Sequence, residues 1–201
     1  MQQEKSSTIP WPILASALLL AFAMQTPQFC VPPMEHILKE ELLLTHARAS
    51  LLFTAPMIML VALAIPGGIL ADRIGVRKAA GIGIIIIAVG TMLRGTATTA
   101  SGLLAFTFIY GIGIGLSMPN LPKLISGWVT RQKAGMATGI FSAAMATGEA
   151  LALAITMPLI FPLTNTFQGV FFSGVYLLLR HLSCGGFWFE NPHMTMLPVS
   201  K

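Results

Sequence analysis

The sequence predicts an all-α integral membrane protein with six transmembrane helices. Of its 201 residues, 55% are hydrophobic and 9% are charged, and the mean hydropathy is +0.78. Soluble domains carry about 25% charged residues because a folded surface must be hydrated. Most of the surface of this chain must therefore face an apolar medium, and we expect that medium to be the lipid bilayer.

Six apolar segments are long enough to cross a membrane, since a helix needs about 20 residues to span a hydrocarbon core of about 30 Å. They cover residues 10–33, 49–71, 79–97, 101–124, 135–161 and 167–189. We predict a transmembrane domain over 10–189, with an N-terminal stub over 1–9 and a tail over 190–201. The first segment also fits a cleaved signal peptide, but its apolar run continues to about Cys30 and favours an uncleaved helix.

The basic residues divide the connections between these segments into two groups. The stub and the second–third and fourth–fifth connections contain Lys5, Arg73, Arg77, Lys78, Lys123, Arg131 and Lys133. In the other group, acidic residues outnumber basic ones in the first loop, and the third–fourth connection holds only Arg94. Because Lys and Arg accumulate in cytoplasmic loops, we predict a multi-pass protein of the cell membrane with a cytoplasmic stub and a cytoplasmic tail.

The net charge of +5 does not predict a nucleic-acid partner, because the basic residues form short clusters between apolar runs and no basic face. Two cysteines are too few for a disulfide scaffold or a metal cluster. The phosphate-binding pattern Gly-x-x-x-x-Gly-Lys is absent from the sequence. We therefore predict no nucleic acid, no metal and no cofactor.

The second–third connection reads Gly68-Ile69-Leu70-Ala71-Asp72-Arg73-Ile74-Gly75-Val76-Arg77-Lys78. We expect Gly68 to let the second helix approach a neighbour closely, and Gly75 to supply the positive φ of a tight reversal. Asp72 is expected beside the free N–H groups of helix N-termini. The three basic side chains are expected to contact the anionic lipid leaflet.

This connection resembles the signature loop of the major facilitator superfamily, Gly-x-x-x-Asp-Arg-x-Gly-Arg-Arg/Lys, with Val76 in place of one basic residue. Ser117-Met118-Pro119-Asn120-Leu121-Pro122-Lys123 and Gly135-Met136-Ala137-Thr138-Gly139 also resemble the fourth and fifth helices of that family. They are most similar to its nitrate/cyanate-type small-anion porters. The likeness extends to about Ser173 and weakens beyond it.

The resemblance implies the amino-terminal six-helix half of a secondary active transporter, and not an enzyme. Its solute would be small and polar or anionic, and transport would proceed by alternating access. The gating loop would consist of Gly68, Asp72, Arg73, Gly75, Arg77 and Lys78.

In transporters of this kind, two three-helix repeats of inverted topology bind the substrate between them. Polar patches around a proline occur at corresponding places in the first and fourth spans, Gln25-Thr26-Pro27-Gln28 and Ser117-Met118-Pro119-Asn120. Proline frees backbone carbonyls to face a cavity. With simple packing kinks as the alternative, we predict these substrate-binding residues: Gln25, Gln28, Tyr110, Ser117 and Asn120.

Ionisable residues are predicted inside three spans: Glu149, Arg94, and the pair Arg180 and His181 in the sixth span, which either snorkel inward or mark an atypical helix. Glu149 lies near the middle of the fifth span, where a lone carboxylate is costly. It is either a proton-coupling or cation site, or a protonated group bonded within the bundle. Arg94 lies near the end of the third span, and we expect its side chain to snorkel to the interface. The alternatives for Arg94 are attraction of an anionic substrate and pairing with Glu149.

Small residues recur at helix-contact spacing in two spans, and most of them are expected to pack the bundle because small residues let membrane helices approach closely. They include Gly111, Gly113 and Gly115 in the fourth span, and Gly135 and Gly139 in the fifth.

Six spans are half of the family's fold. We therefore expect either a second six-helix half or a homodimer as the partner, or a truncated product with little activity, which the atypical sixth span around Arg180 and His181 favours. A second class of function is a non-transporting membrane subunit. A remote third class is an intramembrane serine protease using Ser117 and His181, which needs the two side chains within hydrogen-bond reach.

Overall fold

The computed structural model describes residues 23–128 and 132–184, and within these residues it contains helices and no strand. The α-helices are α1 (23–29), α2 (Glu35–Leu42), α3 (His46–Ile74), α4 (Val76–Gly95), α5 (Ala100–Ser117), α6 (Leu121–Trp128), α7 (Ala134–Ile155), α8 (Phe161–Thr164) and α9 (Phe167–Cys184). A 3₁₀ turn, Pro32–Met34, precedes α2, and a π-helical segment, Thr156–Ile160, joins α7 to α8.

Four of the six predicted spans are helices long and apolar enough to cross a membrane. They are His46–Ile74, Val76–Gly95, Ala100–Leu124 and Ala134–Thr164. The first predicted span is described only over 23–33, and the sixth is helical from Phe167 to Cys184. The stub over 1–9 and the tail over 190–201 lie outside the described residues.

The helix ends follow local sequence signals. Thr45 and Thr99 are N-caps whose hydroxyls accept hydrogen bonds from the backbone N–H groups of Arg48 (3.4 Å) and Gly102 (3.2 Å). A hydroxyl in this position satisfies a donor that the first turn of a helix leaves free. Gly75 separates α3 from α4 at φ 92° and ψ 140°. The positive φ predicted for this glycine is confirmed.

Helix α5 packs against both α3 and α4 through its glycines. A Cβ atom at Gly113 would lie 2.7 Å from the carbonyl oxygen of Gly83 on α4, and one at Gly111 would lie 2.9 Å from Cα of Pro56 on α3. A Cβ at Gly115 would meet Leu63 and Met59 at 2.8 Å. The prediction that the glycines of the fourth span bring helices together is therefore confirmed.

Two other glycine predictions are wrong for the described residues. A Cβ at Gly68 meets no atom within 4 Å, whereas one at Gly67 would lie 3.1 Å from the carbonyl oxygen of Gly115. The close approach thus occurs one residue earlier, since one helical step rotates a residue away from the contact by about 100°. The surroundings of Gly135 and Gly139 are also open.

The helices differ in how much of their surface the bundle covers. In α4 and in the 100–124 helix, 50% and 44% of the apolar window is buried. In α3 and in the 134–164 helix the share is only 22% and 17%. The uncovered face of α3 consists of large apolar side chains such as Val61 and Ile65. Helices α3 and α7 therefore form the open sides of the described bundle.

Candidate functional site

The short helix α1 is the polar centre of the described bundle, because it exchanges hydrogen bonds with four other helices. Gln25 Nε2 donates to Glu149 Oε1 of α7 at 2.5 Å, and Gln28 Nε2 donates to the carbonyl oxygen of Phe53 of α3 at 2.6 Å. In the opposite direction, Tyr110 of α5 and Arg94 of α4 donate to backbone carbonyls of α1.

These carbonyls belong to a helix that ends immediately afterwards. The backbone N–H of Val31 bonds to the carbonyl of Gln28 at 3.4 Å, so the chain leaves α-helical pairing there. The last carbonyls of a helix lack intrahelical donors. The carbonyl oxygen of Pro27 instead accepts from Arg94 Nη1 at 3.0 Å and from Cys30 Sγ at 3.4 Å. The proline patch predicted in the first span therefore exposes a carbonyl, which an arginine binds.

Glu149 and Gln25 are brought together by α7 and α1. Gln25 is 5% exposed, and Glu149 lies at the border between bundle and surface. The amide donates to the carboxylate, so this contact suits an ionised Glu149 as well as a protonated one. Glu149 accepts from Gln25, and Arg94 donates to Pro27, so the structure shows no pairing of Arg94 with Glu149 among the described contacts.

Arg94 does not snorkel to the interface, and that prediction is wrong. Its side chain is 0% exposed. The guanidinium carbon lies 5.1 Å from the ring centroid of Tyr110 and 4.4 Å from that of Phe171 of α9. Cation–π contacts of this kind are worth about 2 kcal/mol or more when the guanidinium is desolvated. The packing of α9 across the end of α4 keeps the side chain inside.

Ser117 and Asn120 lie at the other end of α5 and bond to different neighbours from those of Gln25 and Gln28. Ser117 Oγ donates to the carbonyl of Ala80 at 3.3 Å. Asn120 Nδ2 donates to the carbonyls of Gly67 (3.3 Å) and Leu116 (2.8 Å). Both residues are 0% exposed, so their donors hold α5 against α3 and α4 in this state.

Tyr110 is likewise buried, and its hydroxyl donates to the carbonyl oxygen of Met24 at 3.0 Å. Of the five predicted substrate-binding residues, Gln25, Gln28 and Tyr110 therefore meet around α1. Tyr110, Ser117 and Asn120 each donate a hydrogen bond to a backbone carbonyl of a neighbouring segment. Each side chain therefore also has a packing role. His181, the proposed partner of Ser117 in a protease, has its side chain outside the described residues.

The predicted gating loop lies at the junction of α3 and α4. Asp72 and Arg73 occupy the last turn of α3 and are exposed, whereas Arg77 in the first turn of α4 is half-buried. Lys78 is exposed as well. The loop thus presents charged side chains of both signs at one end of the bundle, beside the Gly75 reversal.

The first loop contains the helix α2, which the sequence analysis missed. An open hollow of about 490 Å³ beside it is lined by Pro32, Pro33, Glu35, His36, Lys39, Glu40 and His46. Lys39 pairs with Glu35 one turn away and contacts His46 Nδ1 at 2.7 Å. The Lys39 ammonium lowers the pKa of the Glu35 carboxyl below its usual value by hydrogen bonding to the charged form. The spacing of Glu35 and Lys39, four residues apart, could have predicted this ion pair on a helix from the sequence.

A scan against protein families matches the Major Facilitator Superfamily over residues 15–197. The chain belongs to the Major Facilitator Superfamily. The predicted family is therefore confirmed, and the chain is a multi-pass membrane protein of a transporter family. The match also includes the sixth span, so the expectation that the family likeness weakens after Ser173 is not supported by this comparison.

Several known transporters are similar to the chain. The cyanate transport protein CynX of Escherichia coli is 27% identical over 144 residues, which are 72% of this chain and 37% of that protein. The probable sulfoacetate transporter SauU of Cupriavidus necator is 29% identical over 128 residues, 64% of this chain and 30% of that protein. The 4-hydroxybenzoate transporter PcaK of Pseudomonas putida is 28% identical over 143 residues, 70% and 32% of the two chains.

Two features follow from these comparisons. The chain spans about a third of the length of the relatives that it matches. The cyanate transport protein among them agrees with the predicted likeness to nitrate/cyanate-type porters.

The sequence did not predict the contacts of Arg94 with Pro27 and Phe171, because no local spacing connects residues that lie 67 and 77 positions apart.

Proposed function

We propose that this chain forms one six-helix half of a secondary active transporter for a small anionic solute. The observation that carries the proposal is the hydrogen bond of Gln25 to Glu149. Glu149 lies within a helix that is long enough to cross a membrane, so this bond involves an intramembrane carboxylate. An ionisable group at such a position is costly and typically marks a substrate, ion or proton pathway. The solutes for which these relatives are named, cyanate, sulfoacetate and 4-hydroxybenzoate, support an anionic solute.

Alternating access requires a second half. In a two-half transporter the halves rock against each other around a shared site, and the repeats within each half have inverted topology. The sparsely covered faces of α3 and α7 support docking of a second six-helix unit there. We propose that this unit is either a second copy of the chain or a carboxyl-terminal half, with the Gly68–Lys78 connection acting as a gate on the cytoplasmic side of the cell membrane.

Within this proposal, α1 is the part of the site nearest to the solute. Gln25, Gln28 and Tyr110 converge there, and Ser117 and Asn120 lie on the corresponding span of the second repeat. Glu149 is the coupling group, since its carboxylate can exchange a proton while Gln25 remains bonded to it. A proton taken up by Glu149 would offset the charge of an anion that moves with it.

Uptake by reconstituted vesicles tests the function. The 201-residue chain is placed in proteoliposomes alone and together with a carboxyl-terminal half from one of the relatives, and entry of radiolabelled cyanate and 4-hydroxybenzoate is measured with and without an imposed proton gradient. We expect gradient-dependent uptake in the paired vesicles or in those holding the chain alone. Absence of uptake of any solute in a broad anion panel in both vesicle types would contradict the proposal and favour the non-transporting subunit.

A matched variant separates coupling from general effects. Glu149→Gln removes the titratable carboxyl and keeps a hydrogen-bond acceptor for Gln25, whereas Glu41→Gln changes an exposed carboxylate in α2. We expect only the first variant to lose the response to the proton gradient. An unchanged response in Glu149→Gln would remove Glu149 from the coupling mechanism.

A further inference from the structure

Among the described residues, the guanidinium of Arg94 is hydrogen-bonded through one of its three nitrogens only. Nη1 donates to the carbonyl oxygen of Pro27 at 3.0 Å. Within the described part of the chain, Nε and Nη2 are buried and have no hydrogen-bond partner. Buried side-chain donors are nearly always paired in folded proteins, so two unpaired donors on one side chain call for an explanation.

The two unpaired donors form a fork. In a guanidinium, Nε–H and the adjacent N–H of Nη2 point in parallel along one edge of a rigid plane. That edge matches the two oxygens of a carboxylate or a similar planar oxyanion, which accept both N–H groups at once. Phe171 and Tyr110 contact the guanidinium as aromatic rings, whose π-electrons do not replace these in-plane acceptors.

The charge of Arg94 is also unbalanced. It is 0% exposed, and the described residues offer it a carbonyl and two aromatic rings, with no carboxylate in hydrogen-bond contact. The carboxylate of Glu149 accepts from Gln25 instead. A buried charge without a counter-charge is strongly destabilising, and a bound anion would relieve that cost.

We propose that the Nε–Nη2 edge of Arg94 is a subsite for a planar oxyanion, a carboxylate group of the transported solute, held bidentately in the plane of the guanidinium. The proposal rests on the proposed transport of an anion and adds the residue, the edge and the shape of the anion. Because Arg94 is fully buried, the anion reaches this edge only when the packing around the guanidinium opens.

Anion binding to the wild-type chain tests the shape of the site without any variant. Thermal stabilisation of the 201-residue chain in lipid nanodiscs is titrated with formate, cyanate and chloride. Formate and cyanate have the same charge and three heavy atoms each, but only formate presents two oxygens to a fork. We expect formate to stabilise at lower concentration than cyanate or chloride. Equal potency of formate and chloride, or no stabilisation by any of the three, would overturn the proposal.

Variants then assign the effect to Arg94. Arg94→Lys keeps a positive charge and a donor for Pro27 but has no fork, and the matched control Arg48→Lys changes an exposed arginine at the start of α3. We expect formate affinity to fall by roughly tenfold in Arg94→Lys, because a bidentate contact becomes a single one, and to be unchanged in Arg48→Lys. Unchanged formate affinity in Arg94→Lys contradicts the subsite. If that variant does not fold, the order of anions in the wild type decides.

The binding and uptake experiments can contradict the Arg94 subsite and the proposed transport independently of each other. A chain that binds formate through Arg94 but takes up no anion keeps the subsite and loses the proposed transport. A chain that takes up anions with the same affinity in wild type and Arg94→Lys keeps transport and loses the subsite.

Discussion

Gln25 Nε2 donates to Glu149 Oε1 at 2.5 Å, and this bond joins α1 to α7 across the described bundle. The two residues are 124 positions apart, and each was singled out from the sequence for a different reason. Gln25 belongs to a polar patch around a proline, and Glu149 is a carboxylate in an apolar span. Their contact unites a proposed solute-binding residue with a proposed coupling residue.

We predict that Glu149→Gln flattens the pH profile of uptake and leaves the fold intact. In the wild type, the carboxyl bonded to Gln25 is a group that can bind and release a proton, as the proposed coupling role requires. The amide in the variant carries no charge at any pH and can still accept from Gln25, so the cost in stability is expected to stay within about 1 kcal/mol. Initial uptake rates across a pH series, together with thermal unfolding in detergent, measure both effects. A variant that keeps the wild-type profile contradicts the prediction.

We predict that Gly90→Ala destabilises the bundle by about 1–3 kcal/mol, since an added methyl group in a tight contact forces the backbone apart. A Cβ at Gly90 would lie 2.6 Å from the backbone nitrogen of Tyr110. The matched control is Gly139→Ala, because a Cβ there meets no atom within 4 Å. Thermal unfolding of the two purified variants should show a loss for Gly90→Ala alone. Equal melting temperatures would show that α4 and α5 separate easily at this point.

We predict that Gly75→Ala destabilises the α3–α4 junction by about 1–3 kcal/mol, although a Cβ there would meet no neighbouring atom. The cost arises from φ 92° and ψ 140°, a conformation that side chains with a Cβ rarely adopt. Gly75→Asn should not restore stability, because asparagine tolerates the left-handed helical region and not this one. Gly68→Ala, at an equally open position inside α3, is the control. A stable Gly75→Ala protein would indicate that the reversal can be made another way.

We predict that Asn120→Ala lowers the stability by about 1–2 kcal/mol through loss of its bonds to the carbonyls of Gly67 and Leu116. Thr54→Ala is a suitable control, since that hydroxyl is exposed and bonds only within its own helix to Ser50 in the described contacts. The variant also separates two roles. A lower melting temperature with an unchanged KM for uptake assigns Asn120 to packing, whereas a raised KM with unchanged stability assigns it to the solute.

The sequence alone predicted the family, the helical class and the approximate limits of four spans. Hydropathy and length suffice for these features because a helix in lipid must satisfy its own backbone hydrogen bonds, so each span is encoded locally. The loop from Gly68 to Lys78 is equally local, and its Gly75 has the positive φ that the sequence predicted. Helix α2 was not predicted because it is only eight residues long and mixes polar with apolar residues. The search for spans relied on long apolar runs, and this connection has none.

The tertiary structure decided which face each residue presents and to which partner it bonds. Gly67 rather than Gly68 meets α5, and Arg94 lies inside the bundle under Phe171 rather than at the interface. Neither outcome is encoded by spacing along the chain, because the rotation of each helix and the crossing of α9 over α4 depend on the packing of all the helices together. The six apolar segments alone predicted a membrane protein. Only the packing of the helices showed that α1 is the polar centre of the described bundle.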